Sequence, residues 1–405
     1  MHSTLTQPLA GVTVIDFTQV MMGPCCTQIL ADHGARVIKI ERPRHGDLSR
    51  GSRPNDPEGA NNPVFKSLNR NKLSLAVDLR SESGRKIIDD LVRQADVVVS
   101  NFRPGVIERL GYGFERISSL NPRIISAEGS GFGPGKTLSH KGGQDVLAQA
   151  MTGGIARRSD DNHPLTVYPL AIADYSAGMH LVQAILMALL QRAQTGRGQS
   201  VSVSLFESML NLQMQEAAVL LQRGEDLNWA AYPLTGVFPT SDGAVVIVGA
   251  FKANPLQDIC QALDMRDLSQ LREYSDFHAM KMNRSALQDE IRRRLRELPT
   301  EEAIGRLEGQ DILCAPVLNL AQALQHPQTV ENSTVVETPS GKLIGAPFRM
   351  EEGSFAISRG APYLGEHSAS ILAAIGYSDD EIRQLLDDGI VEGSQLGDQP
   401  SRVAG

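Results

Sequence analysis

Between residues 11 and 130 the chain alternates short β-branched runs with helical stretches, and that rhythm restricts it to folds built on a parallel sheet with crossover helices. Val12 to Phe17 reads as a strand, Gly23-Pro24 opens a helix that runs to about Asp32, and Gly34 ends it before a second strand, Arg36 to Ile40. The pattern repeats with Leu73 to Leu79 as strand, Ser83 to Gln94 as helix and Asp96 to Ser100 as strand; Arg123 to Ala127 follows the Asn121-Pro122 turn as another. These strands are apolar on both faces, as buried parallel strands are.

A long helix is expected after Asp174, apolar over much of its circumference through Met179, Leu181, Ile185, Leu186, Ala188 and Leu189, and ending near Thr195-Gly196-Arg197-Gly198. Ser200 to Leu205 then reads as a strand and Glu207 to about Gln222 as a helix. At Gly224 to Tyr232 the texture changes, and a hairpin brackets Ser241-Asp242-Gly243. From Phe251 to Leu307 the sequence is charged and helical, with Arg292-Arg293-Arg294 as a solvated face. The chain returns through His326-Pro327 to turn-rich segments at Gly345 to Phe348 and Pro362 to His367, and a last helix spans Asp379 to Asp387. With 405 residues, above the roughly 250–300 at which one core stops growing, two lobes are expected. The boundaries are a large domain over 1–205 to which 345–405 return, a linker helix over 206–228, a small domain over 229–320 and a return linker over 321–344.

The net charge of −8 provides no general cationic field for nucleic acid or an anionic membrane. The first residues lack a basic region followed by an apolar core, and the longest apolar helical run, Leu181 to Leu190, is short for a membrane span. A cytoplasmic protein is expected. Cys25, Cys26, Cys260 and Cys314 show neither spaced pairs nor accompanying histidines, so they read as reduced thiols, with no disulfide framework and no metal site.

The first strand-to-helix turn, Thr18 to Pro24, lacks the glycines of a dinucleotide site, and no phosphate loop or nucleophile elbow occurs elsewhere. The run from Gly129 to Gly135 follows a strand and reads as an active-site loop or a linker. Arg42, Arg80, Arg103 and Arg109 recur where strands end, the side on which open α/β sheets bind ligands. They are either ordinary surface arginines or a site for a polyphosphate. Asp174, before the long helix, reads as its N-cap, and a carboxylate kept ionised by the helix dipole there could also serve as a nucleophile. Gly178, one turn on, would allow a substrate to approach the backbone.

In order along the chain, several segments resemble the CaiB/BaiF family of CoA-transferases (family III). They are Gly11 to Phe17 with Gly23-Pro24, Gly34 to Glu41, Asn69-Arg70-Asn71-Lys72 with Asp78-Leu79, Asn101 to Gly105, Asn121-Pro122-Arg123, Thr195 to Gln199, and Leu364-Gly365-Glu366-His367. The resemblance covers nearly the whole chain. It implies an α/β fold with a large Rossmann-like parallel-sheet domain and a smaller α+β domain, in an interlocked homodimer. It also implies Asp174 as the nucleophile, Asp145 as a second active-site carboxylate, and CoA thioesters as substrates without a permanently bound cofactor. CoA contacts are implied for Arg42, Val77 through Arg80, Asn101, Phe102, Arg103 and Arg109, with Lys141 and Met21 at further positions. The implied reaction moves CoA from an acyl-CoA to a free carboxylic acid, such as a small dicarboxylate, through aspartyl anhydride and aspartyl-CoA intermediates.

Two departures from family patterns sharpen this. Racemases of the family carry a Gly-His-Asp motif where this chain has Gly143-Gln144-Asp145, and a glutamine takes up no proton at neutral pH. Formyl-CoA transferases carry a glutamine where Met21 stands, and a glycine run in the small domain that Val237 to Ala250 lacks. Formate and oxalate are thus not expected as the natural pair. A racemase or epimerase, or a non-catalytic CoA-binding protein, are the alternatives.

Overall fold

The computed structural model describes residues 7–158, 164–249, 251–353 and 355–393. Its strands are β1 (Thr13–Asp16), β2 (Arg36–Glu41), β3 (Leu73–Val77), β4 (Val97–Ser100), β5 (Ile125–Ser130), β6 (Ser200–Ser204), β7 (Thr235–Pro239), β8 (Ala244–Val248), β9 (Leu313–Pro316), β10 (Val335–Thr338), β11 (Gly341–Ile344) and β12 (Val391–Glu392). The described residues form two compact units. One is drawn from the described residues within 7–154, 167–212 and 332–393, the other from those within 155–166 and 213–331.

The first unit holds a seven-stranded sheet in the order β12-β3-β2-β1-β4-β5-β6. Neighbours from β3 to β6 run parallel, and β12 closes the β3 edge antiparallel. Two apolar layers sandwich the sheet, as continuous Val/Ile/Leu strands require. Ile15, Ile38, Leu75 and Val98 pack with the helix Glu82–Gln94 on one face. Val14, Val37, Val97, Ile125 and Ala127 pack with the helices Met22–Asp32 and Ile172–Thr195 on the other.

The helix Ile172–Thr195 differs from the sequence expectation in length. At 24 residues it is long and apolar enough to cross a membrane. Here Leu181, Val182, Ile185 and Ala188 are buried against the sheet and the helix Met22–Asp32, so its apolarity has an internal partner. The helix expected over 206–228 is instead two, Leu205–Asn211 and Met214–Arg223. Ser204 starts the first by accepting the Glu207 N–H, and Leu205 and Met209 are buried in the first unit.

The second unit packs the antiparallel sheet β7-β8-β9 against helices that include Pro255–Ala262, Arg284–Leu295 and Thr300–Glu308. The expected hairpin at Ser241-Asp242-Gly243 joins β7 to β8. Arg292 and Arg293 pair with Asp289 and Glu290 on the solvent side, while the Arg294 Nε donates to the Leu263 carbonyl.

Candidate active site

The carboxyl ends of β1 to β5 open into one cleft of about 1120 Å³, where an open α/β sheet binds its ligand. Residues 17–22 after β1, 42–48 after β2, 78–80 after β3, 101–103 after β4, and Ser130 and Gly131 of β5 and just beyond it line the cleft, together with Gly142 to Gln144, Leu205 and Asp174.

The structure thus brings Met21, Arg42, Val77, Arg80, Asn101, Phe102, Arg103 and Asp174 to one cleft. Arg80 is paired with Asp78 at 2.9 Å. Arg42 and Arg103 are exposed and form no ion pair among the described residues. Arg103 lies against the backbone of 142, since a Cβ built there would stand 2.6 Å from its Nη2. Arg109, Lys141 and Asp145 are absent from the walls. Arg109 lies beside Gly105, and exposed Lys141 directly precedes the wall residue Gly142.

Asp174 does not cap its helix. The N-cap position is Ala171, which has no side-chain cap bond, and Asp174 is the third helical residue. Asp145 performs the capping from another helix: its Oδ2 accepts the N–H of Ala173 at 2.7 Å and of Asp174 at 3.0 Å. A nearby glutamine extends this arrangement. Gln149, fully buried, donates to Asp145 Oδ1 at 2.5 Å and to the Leu170 carbonyl at 3.2 Å, and accepts the Tyr168 N–H at 3.1 Å. The segment leading to Asp174 is therefore fastened to the helix Asp145–Met151.

The surroundings of Asp174 oppose the ionisation that the helix dipole was expected to favour, without abolishing it at neutral pH. Burial, and then the Asp145 carboxylate beside it, push its pKa up to about 6. The Asp174 carboxylate accepts no hydrogen bond and meets no cation among the described residues. A half-buried carboxylate without a partner among the described residues, its pKa raised and its group facing a cleft, is the kind of group that marks a candidate site.

Two glycine readings change as well. Gly178 is buried, and a Cβ there would stand 2.8 Å from the Met22 carbonyl oxygen; it serves helix packing rather than substrate access. In the run after β5, Gly131 and Gly143 press backbone to backbone, so that a Cβ on either would meet the other's Cα at 2.4 or 2.2 Å. This end of the run is packed, while Gly135 is open. Gly143→Ala is expected to force the two segments apart, lowering turnover at least about tenfold as a shift on the order of 1 Å does; steady-state kinetics check it.

Beneath the cleft lies a layer of buried charges that sequence reading had not singled out. Lys72 Nζ stands 3.2 Å from Asp16 Oδ2, Lys39 Nζ 2.7 Å from Asp47 Oδ2, and Arg50 Nε 2.8 Å from Glu41 Oε1. Burial works to raise the Asp16 pKa, but Lys72, Lys39 and the hydroxyls of Thr18 and Thr27 outweigh it and hold the group below its usual range. Burial lowers the Lys72 pKa to about 8.

With this geometry in view, comparison with known proteins settles the family. The family model for CoA-transferase family III matches residues 9–368. The chain belongs to CoA-transferase family III. An acyl-CoA transferase of Fusarium pseudograminearum (strain CS3096) is 33% identical over 402 residues, covering 95% of this chain and 88% of that protein. A formyl-CoA:oxalate CoA-transferase of Escherichia coli O157:H7 (strain EC4115 / EHEC) is 32% identical over 412 residues, covering 94% and 99%. Among solved structures, a CaiB/BaiF family protein from Brucella suis superposes with a TM-score of 0.82 at 27% identity, covering 91% of this chain and all of that one. This family III CoA-transferase is thus an enzyme of acyl-CoA chemistry, with the α/β architecture expected for it.

Proposed function

We propose that this CoA-transferase carries the acyl group on Asp174, moving CoA from an acyl-CoA donor to a free carboxylic acid. The observation that carries the reading is the Asp174 carboxylate itself, half-buried, unpartnered among the described residues and open to the cleft formed by the strand ends. The pantetheine and phosphates of CoA would lie along those ends, with Arg42, Arg80 and Arg103 meeting the anionic groups.

An Asp174 oxygen attacks the thioester carbonyl; the C–S bond breaks and CoA leaves as thiolate, giving a mixed anhydride. The thiolate then attacks the aspartyl carbonyl and expels the donor acid, leaving an aspartyl-CoA thioester. The acceptor carboxylate attacks that thioester, CoA thiolate departs again, and its attack on the acceptor carbonyl yields the new acyl-CoA and restores Asp174. Asp145 supports this by fixing the backbone of residues 173 and 174 rather than by touching substrate. Gln144 stands on the wall where a racemase would need a base, which favours transfer over proton exchange.

Met21 and Met22 add apolar, adaptable surface to the same cleft. The relatives named for formyl-CoA and oxalate share about a third of the residues, and Met21 stands where those enzymes carry a glutamine, so an acceptor other than oxalate is proposed. Turnover of succinyl-, acetyl- and formyl-CoA against mono- and dicarboxylates tests the assignment. Exposed Tyr175, Leu186, Met187 and Leu190 on the Asp174 helix support association with a second copy of the chain.

Only ionised Asp174 attacks, so kcat/KM is expected to fall about tenfold per pH unit below about 6 and to level above it. Asp145→Asn removes the neighbouring negative charge and is expected to move that limb to lower pH. A profile from pH 4.5 to 8.5 measures both, and an acid limb that stays in place in Asp145→Asn would refute the part of the shift assigned to Asp145.

A further inference from the structure

Residues 17–22 join β1 to the helix Met22–Asp32 and line the cleft that contains Asp174. Within them Val20 stands at φ +67°. A β-branched side chain is sterically disfavoured in this left-handed region, where glycine or asparagine is usual. The packing of Val20 does not hold it there, because its side chain is 48% exposed. The conformation is imposed by other segments.

Three successive backbone N–H groups each go to a different side chain. Thr18 donates to Asp16 Oδ1 at 2.9 Å, Gln19 to Asn101 Oδ1 at 2.9 Å and Val20 to Asp47 Oδ1 at 3.0 Å. The carbonyls are held too. Lys39 Nζ donates to the Thr18 carbonyl at 2.8 Å, and Asn101 Nδ2 to the Gln19 carbonyl at 2.7 Å. Lys39 also pairs with Asp47 Oδ2 at 2.7 Å, with both side chains fully buried. Lys39 therefore reaches this loop from inside the unit, where no substrate atom can meet it.

The purpose of the strain appears at the next residues. Met22 sits between two glycines: a Cβ on Gly129 would stand 2.3 Å from its sulfur, and a Cβ on Gly178 would stand 2.8 Å from its carbonyl oxygen. Gly178 lies four residues beyond Asp174 on the same helix. Met22 thus has no slack between β5 and the helix of the nucleophile, and the left-handed turn at Val20 sets the direction from which the chain enters that seat.

We propose that Lys39 and Asp47 are positioning residues of the acyl-transfer site, holding Val20 left-handed so that Met21 and Met22 form a fixed wall beside Asp174. The proposal rests on the reading of Asp174 as nucleophile. Strained backbone at functional sites persists only where its surroundings over-determine it, which these five hydrogen bonds and the buried ion pair do.

The test is a rescue in the full-length enzyme. In Asp47→Asn a single oxygen must serve both Lys39 and Val20, so kcat is expected to fall about 10- to 100-fold while KM for the acyl-CoA stays within about threefold. Glycine adopts positive φ unaided. Val20→Gly alone sets the reference rate for the substituted wall, and against that reference Val20→Gly combined with Asp47→Asn should lose about tenfold less than Asp47→Asn loses against the wild type. Should Asp47→Asn not fold, Val20→Pro provides the second arm: its ring fixes φ near about −65°, and a folded variant is expected to lose at least about 100-fold in kcat. A folded Val20→Pro with wild-type turnover, or an Asp47→Asn loss untouched by glycine at 20, overturns the proposal. Wild type and Asp174→Ala are assayed alongside. Transfer that survives in Asp174→Ala defeats the nucleophile reading, whereas transfer lost there but kept in Val20→Pro defeats the positioning role alone. Hydrogen exchange over residues 17–22 gives a readout without turnover: faster exchange in Asp47→Asn is expected, and unchanged protection refutes the holding role.

Discussion

Asp174→Ala is expected to lower kcat for CoA transfer by at least about 10³-fold, because in the proposed mechanism it removes the atom to which the acyl group is bonded rather than a group that assists. Donor binding should change little, since the cations proposed to meet CoA lie along the strand ends. Wild-type enzyme incubated with donor and then hydroxylamine should be labelled at Asp174, and the variant should not. The substitution should at the same time stabilise the fold at neutral pH. Burial and Asp145 raise the folded-state pKa to about 6, above the usual carboxylate value. The group therefore favours folding most at low pH, and that contribution is lost as pH rises through 6. A melting temperature that rises in Asp174→Ala at pH 7.5 but much less at pH 4 is the expected pattern. Full transfer activity in the variant would sink the assignment.

Lys72→Met is expected to cost about 3–5 kcal/mol, the usual penalty for stripping a buried charge of its partner, and so a large share of a typical domain's stability. Lys72 is fully buried and donates to Asp16 Oδ2, the Pro24 carbonyl and Asn69 Oδ1. Its loss leaves Asp16, also fully buried, facing one counter-charge fewer. Chemical denaturation should show a lower midpoint with an unchanged slope. Asp16→Asn combined with Lys72→Met should recover part of the loss, because the uncompensated charge, rather than the missing contact, dominates the cost. A single variant as stable as the wild type would refute this account.

The parallel sheet was legible in the sequence because each strand from β1 to β5 is a compact apolar run with its own turn or helix signal. Arg42, Arg80 and Arg103 could be placed at the cleft for the same reason, since topology alone decides which end of a parallel sheet gathers loops, whereas Arg109 falls outside its walls. Other features depend on contacts between distant segments. The break near Leu212 has no glycine or proline to announce it. The cap of the Asp174 helix comes from Asp145, 29 residues earlier, and no local pattern points to a capping group so remote. Gly178 looked like room for a substrate and Gly131 like part of a loop or linker, yet both answer to another backbone in close contact. Lys39 and Asp16 did leave a trace, Asp16 as the one charge in β1 and Lys39 as a charge set between Ile38 and Ile40 in β2. A charge at such a position must find a partner inside the protein, and only the folded structure shows which.

The short strand β12 has a consequence for the durability of the enzyme in a cell. Its two residues pair Val391 with Val77 and Glu392 with Ala76, covering the outer edge of β3, whose Leu75, Ala76 and Val77 are completely buried. A proteolytic nick that released this C-terminal piece would uncover an apolar strand edge of the kind that recruits other chains into aggregates. Val77 is also a wall of the cleft. Loss of β12 would therefore make the molecule sticky and loosen the cleft in one event, so that clipped copies aggregate instead of persisting as weakened enzyme.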